Sequence, residues 1–204
     1  MKKSESNFRR GNELKPRVDV DCIITAAGLS SRMGQWKMML PYKQGTILDA
    51  SIENARQFCR RLILVAGFRA DELIERYKND ADILVVVNDN YKQGLFSSLQ
   101  CAARQITHDY CFITHGDIPC LSYDVFHQLW HKRGPYTLFP CYQGNGGHPV
   151  LVPAARLRES LDHQAGSMRE FLLSGEYRYL NICDSSILFD VDTPEAYQEL
   201  IKQY

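Results

Sequence analysis

The sequence carries no excess charge of either sign: 24 Lys and Arg are matched by 24 Asp and Glu. The broad basic field of a protein that coats nucleic acid is therefore missing, and any polyanion has to be gripped locally. None of the seven cysteines forms a C-x-x-C pair, which removes the common zinc-knuckle and thioredoxin spacings. An odd cysteine count, with several members inside apolar runs, reads as the reduced thiols of a cytoplasmic protein and not as a disulfide framework. No apolar stretch reaches the ~18 residues of a membrane helix. The basic start (Lys2, Lys3, Arg9, Arg10, Lys15 and Arg17 against Glu5 and Glu13) lacks the apolar segment of a secretory signal, so residues 1–17 are expected to be a flexible, solvated tail. With no internal repeat and no Gly/Ser/Pro-rich linker, 204 residues suit one large domain, here placed at 18–204.

What the sequence has is alternation. Nearly continuous apolar, β-branched runs at 20–26, 61–66, 82–88 and 110–115 read as parallel strands buried on both faces. Helical patterns separate them. In 46–59, Leu48, Ile52, Ala55 and Cys59 recur at helical spacing behind the capping box Thr46-x-x-Asp49, and 70–79 and 95–107 supply two more helices. The second half predicts strands at 137–142, 147–152, 179–183 and 187–191, with helices near 153–162 and 167–174. A last helix opens at Thr193-Pro194, a cap residue followed by proline at the first helical position. The order implies an α/β fold: a doubly wound, mostly parallel, Rossmann-like sheet whose ligands bind at the carboxyl ends of its strands.

The segment TAAGLSSRMGQWK, residues 25–37, leaves the first strand through small residues and places Arg32 and Lys37 around Gly34. Such a loop lets backbone N–H groups reach phosphate oxygens while two cations neutralise a triphosphate. It is not a Walker A loop, since five residues separate Gly28 from Gly34 and Met38 follows the lysine. Nor is it G-x-G-x-x-G, since Ser30 takes the second glycine position. Asp117 ends the fourth strand where a sheet presents side chains to a ligand, which suits a Mg²⁺ ligand. Asp192 is a second metal candidate with helix capping as its rival, and Asp190 is its understudy. His127 and His131 have zinc-protease spacing, but Gln128 stands where the general base should be. Ser167-x-x-Glu170 reads as a capping box, while His148, framed by glycine and proline, is a candidate substrate contact.

The first-strand loop resembles that of the MobA-like nucleotidyltransferases, and among them most closely the molybdenum cofactor cytidylyltransferases. Their A-A-G-x-S-x-R-M-G-x-x-K pattern is matched at Ala26, Ala27, Gly28, Ser30, Arg32, Met33, Gly34 and Lys37. Similar matches follow in Asn88 to Ser98, Gly116-Asp117-Ile118-Pro119, Gly144-x-x-Gly147-His148-Pro149 and Asp190-Val191-Asp192-Thr193-Pro194-Glu195. Gln164-Ala165-Gly166-Ser167-Met168-Arg169 departs from an acidic G-D-x-G-[AS]-R segment. The resemblance implies transfer of CMP from CTP to the terminal phosphate of the molybdenum-molybdopterin cofactor, with Mg²⁺ or Mn²⁺ as cofactor. It also implies catalytic roles for Arg32, Lys37 and Asp117 and metal ligation by Asp117 and Asp192. Nucleotide contacts would come from Ala26, Ala27, Gly28, Leu29, Ser30, Arg32, Lys37, Asn88, Gly94 and Ser98, and acceptor contacts from Gly147, His148 and Pro149. Ala27, in place of a second glycine, points to CTP over GTP. A molybdenum hydroxylase is an expected client, and neither nucleic acid nor membrane is an expected partner. The rivals are a sugar- or polyol-phosphate nucleotidyltransferase of the same fold and a non-catalytic chaperone that carries the cofactor.

Overall fold

The computed structural model describes residues 15–30 and 33–203. Strand β1 (Val18–Ala26) is followed by a small hairpin, β2 (Pro41–Tyr42) and β3 (Gly45–Thr46), then α1 (Ile47–Arg56), β4 (Cys59–Ala66), α2 (Ala70–Tyr77), β5 (Ile83–Val87), α3 (Leu95–Ala103) and β6 (Tyr110–His115). The second half adds α4 (Tyr123–His131), β7 (Thr137–Tyr142), β8 (Asn145–Gly146), β9 (Val150–Pro153), α5 (Ala154–Glu159), α6 (Met168–Leu173), β10 (Tyr177–Asn181) and α7 (Pro194–Gln203).

Seven of these strands run β10-β7-β9-β6-β1-β4-β5 across one sheet, and β8 pairs with β7. β1 is parallel to both β4 and β6, and β4 is parallel to β5. β9 runs antiparallel to β6 and β7, while β10 returns to the parallel sense beside β7. The sheet is therefore mostly parallel, as the sequence predicts. Because the chain steps from β1 to β4 and β5 on one side and then crosses to β6 on the other, the β1/β6 boundary is a topological switch point. Its carboxyl end opens as a crevice between diverging connections.

Alternation along β1 feeds two cores. Val20, Cys22, Ile24 and Ala26 pack with Leu48 and Ile52 of α1, Leu73 of α2 and Phe126 of α4. Ile23 belongs to the other face, with Leu99 of α3, Leu157 of α5 and Phe171 of α6. Phe58 anchors the first core against Phe112 and Phe126, at ring separations of 5.8 and 6.0 Å.

The expected capping box forms at α1: Thr46 accepts from the Asp49 amide and Asp49 accepts from the Thr46 amide. At α6 only half of it forms, since Ser167 accepts from the Glu170 amide while Glu170 takes the Gly166 amide instead. Thr193 caps α7 by accepting from the Ala196 amide. The strand expected at 187–191 does not exist. Asp184 accepts from the Ser186 amide and starts a 3₁₀ turn over Ser185–Leu188, after which the chain crosses the ends of the strands. There its polar backbone groups bond transversely, Ile187 O to the His148 amide and the Val191 amide to Asp117 O. The strand expected at 147–152 begins only at Val150, after a cis His148–Pro149 peptide. Residues 1–14 of the expected tail lie outside the described residues. Its last residues are tied down, Lys15 to Asp124 at 2.9 Å and Arg17 to Asp82 at 2.6 Å.

Asp21, fully buried in β1, locks the opposite end of the sheet from the crevice. It accepts from the Thr107 and His108 amides at 2.8 and 3.1 Å and from Arg61 at 2.8 Å. Burial alone would raise its pKa, but the two amides and Arg61 outweigh burial and hold it below the usual carboxylate value. Asp21→Asn should therefore cost about 3 kcal/mol at neutral pH by breaking a buried ion pair. A depressed folded-state pKa means that this contribution is complete above the unfolded value, about pH 4, and is lost as pH falls through the folded one. In urea titrations the gap between wild type and variant should narrow in acid.

Candidate active site

At the switch point, Thr25 of β1 and His115 of β6 are register partners at the last paired position of the two strands. Beyond them the chain turns through Ala27-Gly28 on one side and Gly116-Asp117 on the other. A Cβ at Gly116 would come within 2.7 Å of Leu48 and 2.9 Å of the Met38 sulfur, so any larger residue there would have to displace the ends of those side chains. A cavity of about 240 Å³ lies over this point, lined by Thr25, Ala27, Gly28, Lys37, Asp117 and Asp192 together with His115, Leu95, Met38 and Asp190.

Its floor is an ion cluster. Lys37, in a single 3₁₀ turn over Lys37–Met39, donates from Nζ to Asp117 Oδ2 and, at 2.5 Å, to Asp192 Oδ1. Burial works against the Lys37 charge, yet Asp117 and Asp192 more than offset it and raise its pKa. The remaining oxygen, Asp117 Oδ1, is buried with no hydrogen-bond partner among the described residues. Asp190 stands at the exposed rim; partial burial, Asp192 and Asp117 push its carboxyl up. The cluster holds two carboxylates for one ammonium, with a third carboxylate nearby, so it has spare capacity for a cation.

A second cavity of about 400 Å³ adjoins the first across His115 and Leu95. Its walls are apolar at Phe96, Phe139, Met168 and Leu172 and polar at His148, Ser167 and Arg169. The His115 and His148 rings meet edge to face with centroids 4.2 Å apart. His115 Nδ1 lies 2.6 Å from Thr25 Oγ1, and His148 Nδ1 lies 3.4 Å from Ile113 O. Burial, reinforced by Lys37, lowers the His115 pKa to about 4. Burial, reinforced by His115, lowers that of His148 to about 3. Both rings are neutral at physiological pH.

The residues singled out in the sequence separate into three groups. Ala27, Gly28, Lys37, Asp117 and Asp192 meet at the smaller cavity, and Gly94, Gly147 and His148 line the larger one. Others support the walls from outside. The Ala26 methyl is fully buried in the first core. Asn88 donates to Ser97 and Ser98 at 2.9 and 3.0 Å, clamping the turn before α3 to the end of β5. Ser30, at φ 53°, accepts from the Lys37 amide and shapes the loop. Leu29 is half exposed, and Pro149 is buried behind His148. Arg32 lies outside the described residues. Gly147 has a packing reason as well, since a Cβ there would meet the Ile187 carbonyl oxygen at 2.2 Å. His127 and His131 sit on α4 with their Nε2 atoms 3.0 Å apart, away from both cavities. Sequence reasoning missed His115, Thr25 and Arg169. His115 could have been found from its place immediately before the Gly116-Asp117 turn.

A doubly wound sheet with a small-residue loop, a lysine and converging carboxylates at its switch point is the arrangement of a nucleotidyltransferase. The chain belongs to the MobA-like NTP transferase domain family, whose model matches residues 22–178. It is 46% identical over 91% of its length to the molybdenum cofactor cytidylyltransferase of Escherichia coli K12, covering 97% of that protein. A probable molybdenum cofactor guanylyltransferase of Carboxydothermus hydrogenoformans is 27% identical over 88% of this chain and 93% of its own. Among solved structures, the Mycobacterium sp. strain JC1 homologue of the Mycobacterium tuberculosis protein Rv0371c superimposes with a TM-score of 0.77. It is 27% identical, over 92% of this chain and 98% of that one. The M. tuberculosis protein itself, solved as a complex with manganese, has a TM-score of 0.70 at 21% identity and covers 92% of this chain and 100% of its own. No helix among the described residues is long and apolar enough to cross a membrane.

The depressed histidine pKa values have a consequence for stability. Neutral His115 and His148 are favoured in the fold, so the unfolded chain binds protons that the native state refuses. Stability attributable to them is complete above the unfolded value of about 6.5 and declines as pH falls towards the folded values. Each ring should remove roughly 1 kcal/mol per pH unit between pH 6 and 5. His148→Gln should flatten about half of that slope in denaturant titrations.

Proposed function

We propose that this chain transfers CMP from CTP to the terminal phosphate of the molybdenum-molybdopterin cofactor. The products are molybdopterin cytosine dinucleotide and pyrophosphate. The observation that carries the reading is the join of two cavities over one ion cluster. The smaller has the phosphate-sized loop and the Lys37–Asp117–Asp192 floor, and the larger has the apolar walls and polar rim that a fused-ring acceptor needs. The high identity to the E. coli cytidylyltransferase over nearly the whole chain supports the same choice of acceptor and nucleotide.

An acceptor phosphate is already ionised near neutrality, so attack on the α-phosphorus needs no general base. An acceptor oxygen bonds to phosphorus, the bond to the bridging oxygen of the β-phosphate breaks, and pyrophosphate leaves with the charge. The protein has to align two polyanions and offset developing charge. Ala27 and Gly28 admit the nucleotide close to the backbone, and Lys37, with Arg32 from the same loop, supplies positive charge to the triphosphate.

Among the described residues, no three His, Cys, Asp or Glu side chains are arranged to hold a metal by themselves. Two carboxylates with an unpartnered buried oxygen at Asp117 nevertheless fit Mg²⁺, which takes one or two protein carboxylates and completes its shell with phosphate and water. Asp117 and Asp192 would hold it, and it would neutralise phosphate charge. Lys37 bonds one oxygen of each carboxylate, so a cation bound there would compete with it, and a displaced Lys37 would be free to face the phosphates.

Pyrophosphate release with each nucleoside triphosphate, with and without the cofactor, tests the reaction. Cofactor-dependent release from CTP is expected, and release with a sugar phosphate in its place would redirect the acceptor assignment. CTP should exceed GTP by roughly tenfold or more, since one mispaired polar edge costs about 1 to 3 kcal/mol, and Ala27→Gly should narrow that ratio. Asp117→Asn should lower turnover per folded molecule at least about a hundredfold, with Asp192 left to pair Lys37 in the fold. Lys37→Ala should slow transfer by a similar factor, about a hundredfold, yet bind Mn²⁺ more tightly than wild type, because its competitor for the carboxylates is gone. Weaker Mn²⁺ binding in that variant would contradict the competition.

A further inference from the structure

We propose that His115 is a catalytic residue whose Nε2–H donates a hydrogen bond to the attacking phosphate of the acceptor where the two cavities join. The inference rests on the transfer reaction proposed above and adds a residue to it. Three observations carry it. His115 and Leu95 are the residues that line both cavities, and of the two only His115 offers a polar group. The ring is therefore at the place where an acceptor seated in the larger cavity must pass its phosphate into the smaller one.

Thr25 is placed to set the ring's tautomer. Its buried hydroxyl lies 2.6 Å from His115 Nδ1 and has no other hydrogen-bond partner among the described residues. A threonine hydroxyl can donate to such a nitrogen or accept from it, and the proposed role requires that it donate. Nδ1 is then the acceptor, and the ring proton resides on Nε2. Thr25 and His115 are also paired across β1 and β6, so two buried strands hold the geometry. On the other side, the His148 ring packs edge to face at 4.2 Å and leaves His115 little freedom to rotate.

The electrostatics explain why a hydrogen-bond donor is needed at this place. The smaller cavity presents Asp117, Asp192 and Asp190 to an incoming phosphate, and Lys37 is already engaged with two of them. An acceptor phosphate approaching from the larger cavity meets a negative rim. A fixed N–H at the entrance offers it a charge-assisted hydrogen bond before it reaches phosphorus. Arg169, on the wall of the larger cavity, supplies charge farther from the join.

The test compares wild type with His115→Leu, His115→Gln and Thr25→Val. Transfer kinetics with varied acceptor are measured beside CTP affinity by calorimetry and the thermal midpoint. His115→Leu removes the donor at similar volume and should lower kcat/KM for the acceptor about ten- to hundredfold, with CTP affinity held within about twofold. His115→Gln keeps an N–H at the ε position and should recover to within about fivefold of wild type. Thr25→Val, which removes the tautomer lock without changing volume, should fall between them. Three results would each overturn the role: wild-type transfer in His115→Leu, equal impairment of the Leu and Gln variants at unchanged midpoint, or a loss of CTP affinity that matches the loss of rate. Wild-type protein that released no pyrophosphate from CTP and the cofactor would instead overturn the reaction, and the assignment of His115 with it.

Discussion

One ammonium group held between two carboxylates organises the functional end of this protein. Lys37 reaches Asp117, 80 residues away, and Asp192, 155 residues away, so three distant segments are joined at the carboxyl edge of β1 and β6. The Asp117 and Lys37 side chains are mostly buried. Like charges so placed cannot coexist without a counter-charge, because the screening that water supplies is largely lost. The segment that carries Asp192 is drawn across the strand ends to reach that ammonium, and Val191 completes the crossing by donating its amide to Asp117 O. The cluster is thus a structural knot, and in the function proposed above it is also the place a metal-bound polyanion would take. It is stable without substrate because the protein's own cation stands in.

The division of the crevice follows from the switch in strand direction. β9 runs antiparallel to β6, and β7, antiparallel to β9, again runs parallel to β6, which brings the Gly146-Gly147-His148 turn to the same edge as the nucleotide loop. α6 and the loop before it close the far wall through Ser167, Met168 and Arg169. Residues 164–169 hold no acidic residue, and Ser167 and Arg169 give the larger cavity a polar wall there. Neutral His115 and His148 form the partition between the two compartments. A neutral partition suits a site that must bring two anions together, since a fixed positive charge would bind the ground state as well as the transition state.

The sequence by itself determined the alternation of sheet strands and helices through β6, the two-faced character of β1, the caps at Thr46 and Thr193, and the membership of Lys37, Asp117 and Asp192 in one site. Each of these is local: apolar periodicity, a hydroxyl three residues from its amide, or a motif of small residues and charges. Tertiary structure decided the rest. The 187–191 segment is as apolar as a strand, but its backbone partners are His148 and Asp117, which the sequence leaves far away. Asn88 and Ser98, expected at the nucleotide, are joined to each other by a hydrogen bond that spacing does not reveal. Lys37 looked like a phosphate clamp and is found between carboxylates. His115 acquires its importance only because β6 pairs with β1 in a register that sets it opposite Thr25. Register, burial and partner choice are long-range properties: they depend on which groups are brought within hydrogen-bond distance, and spacing along the chain cannot specify that distance.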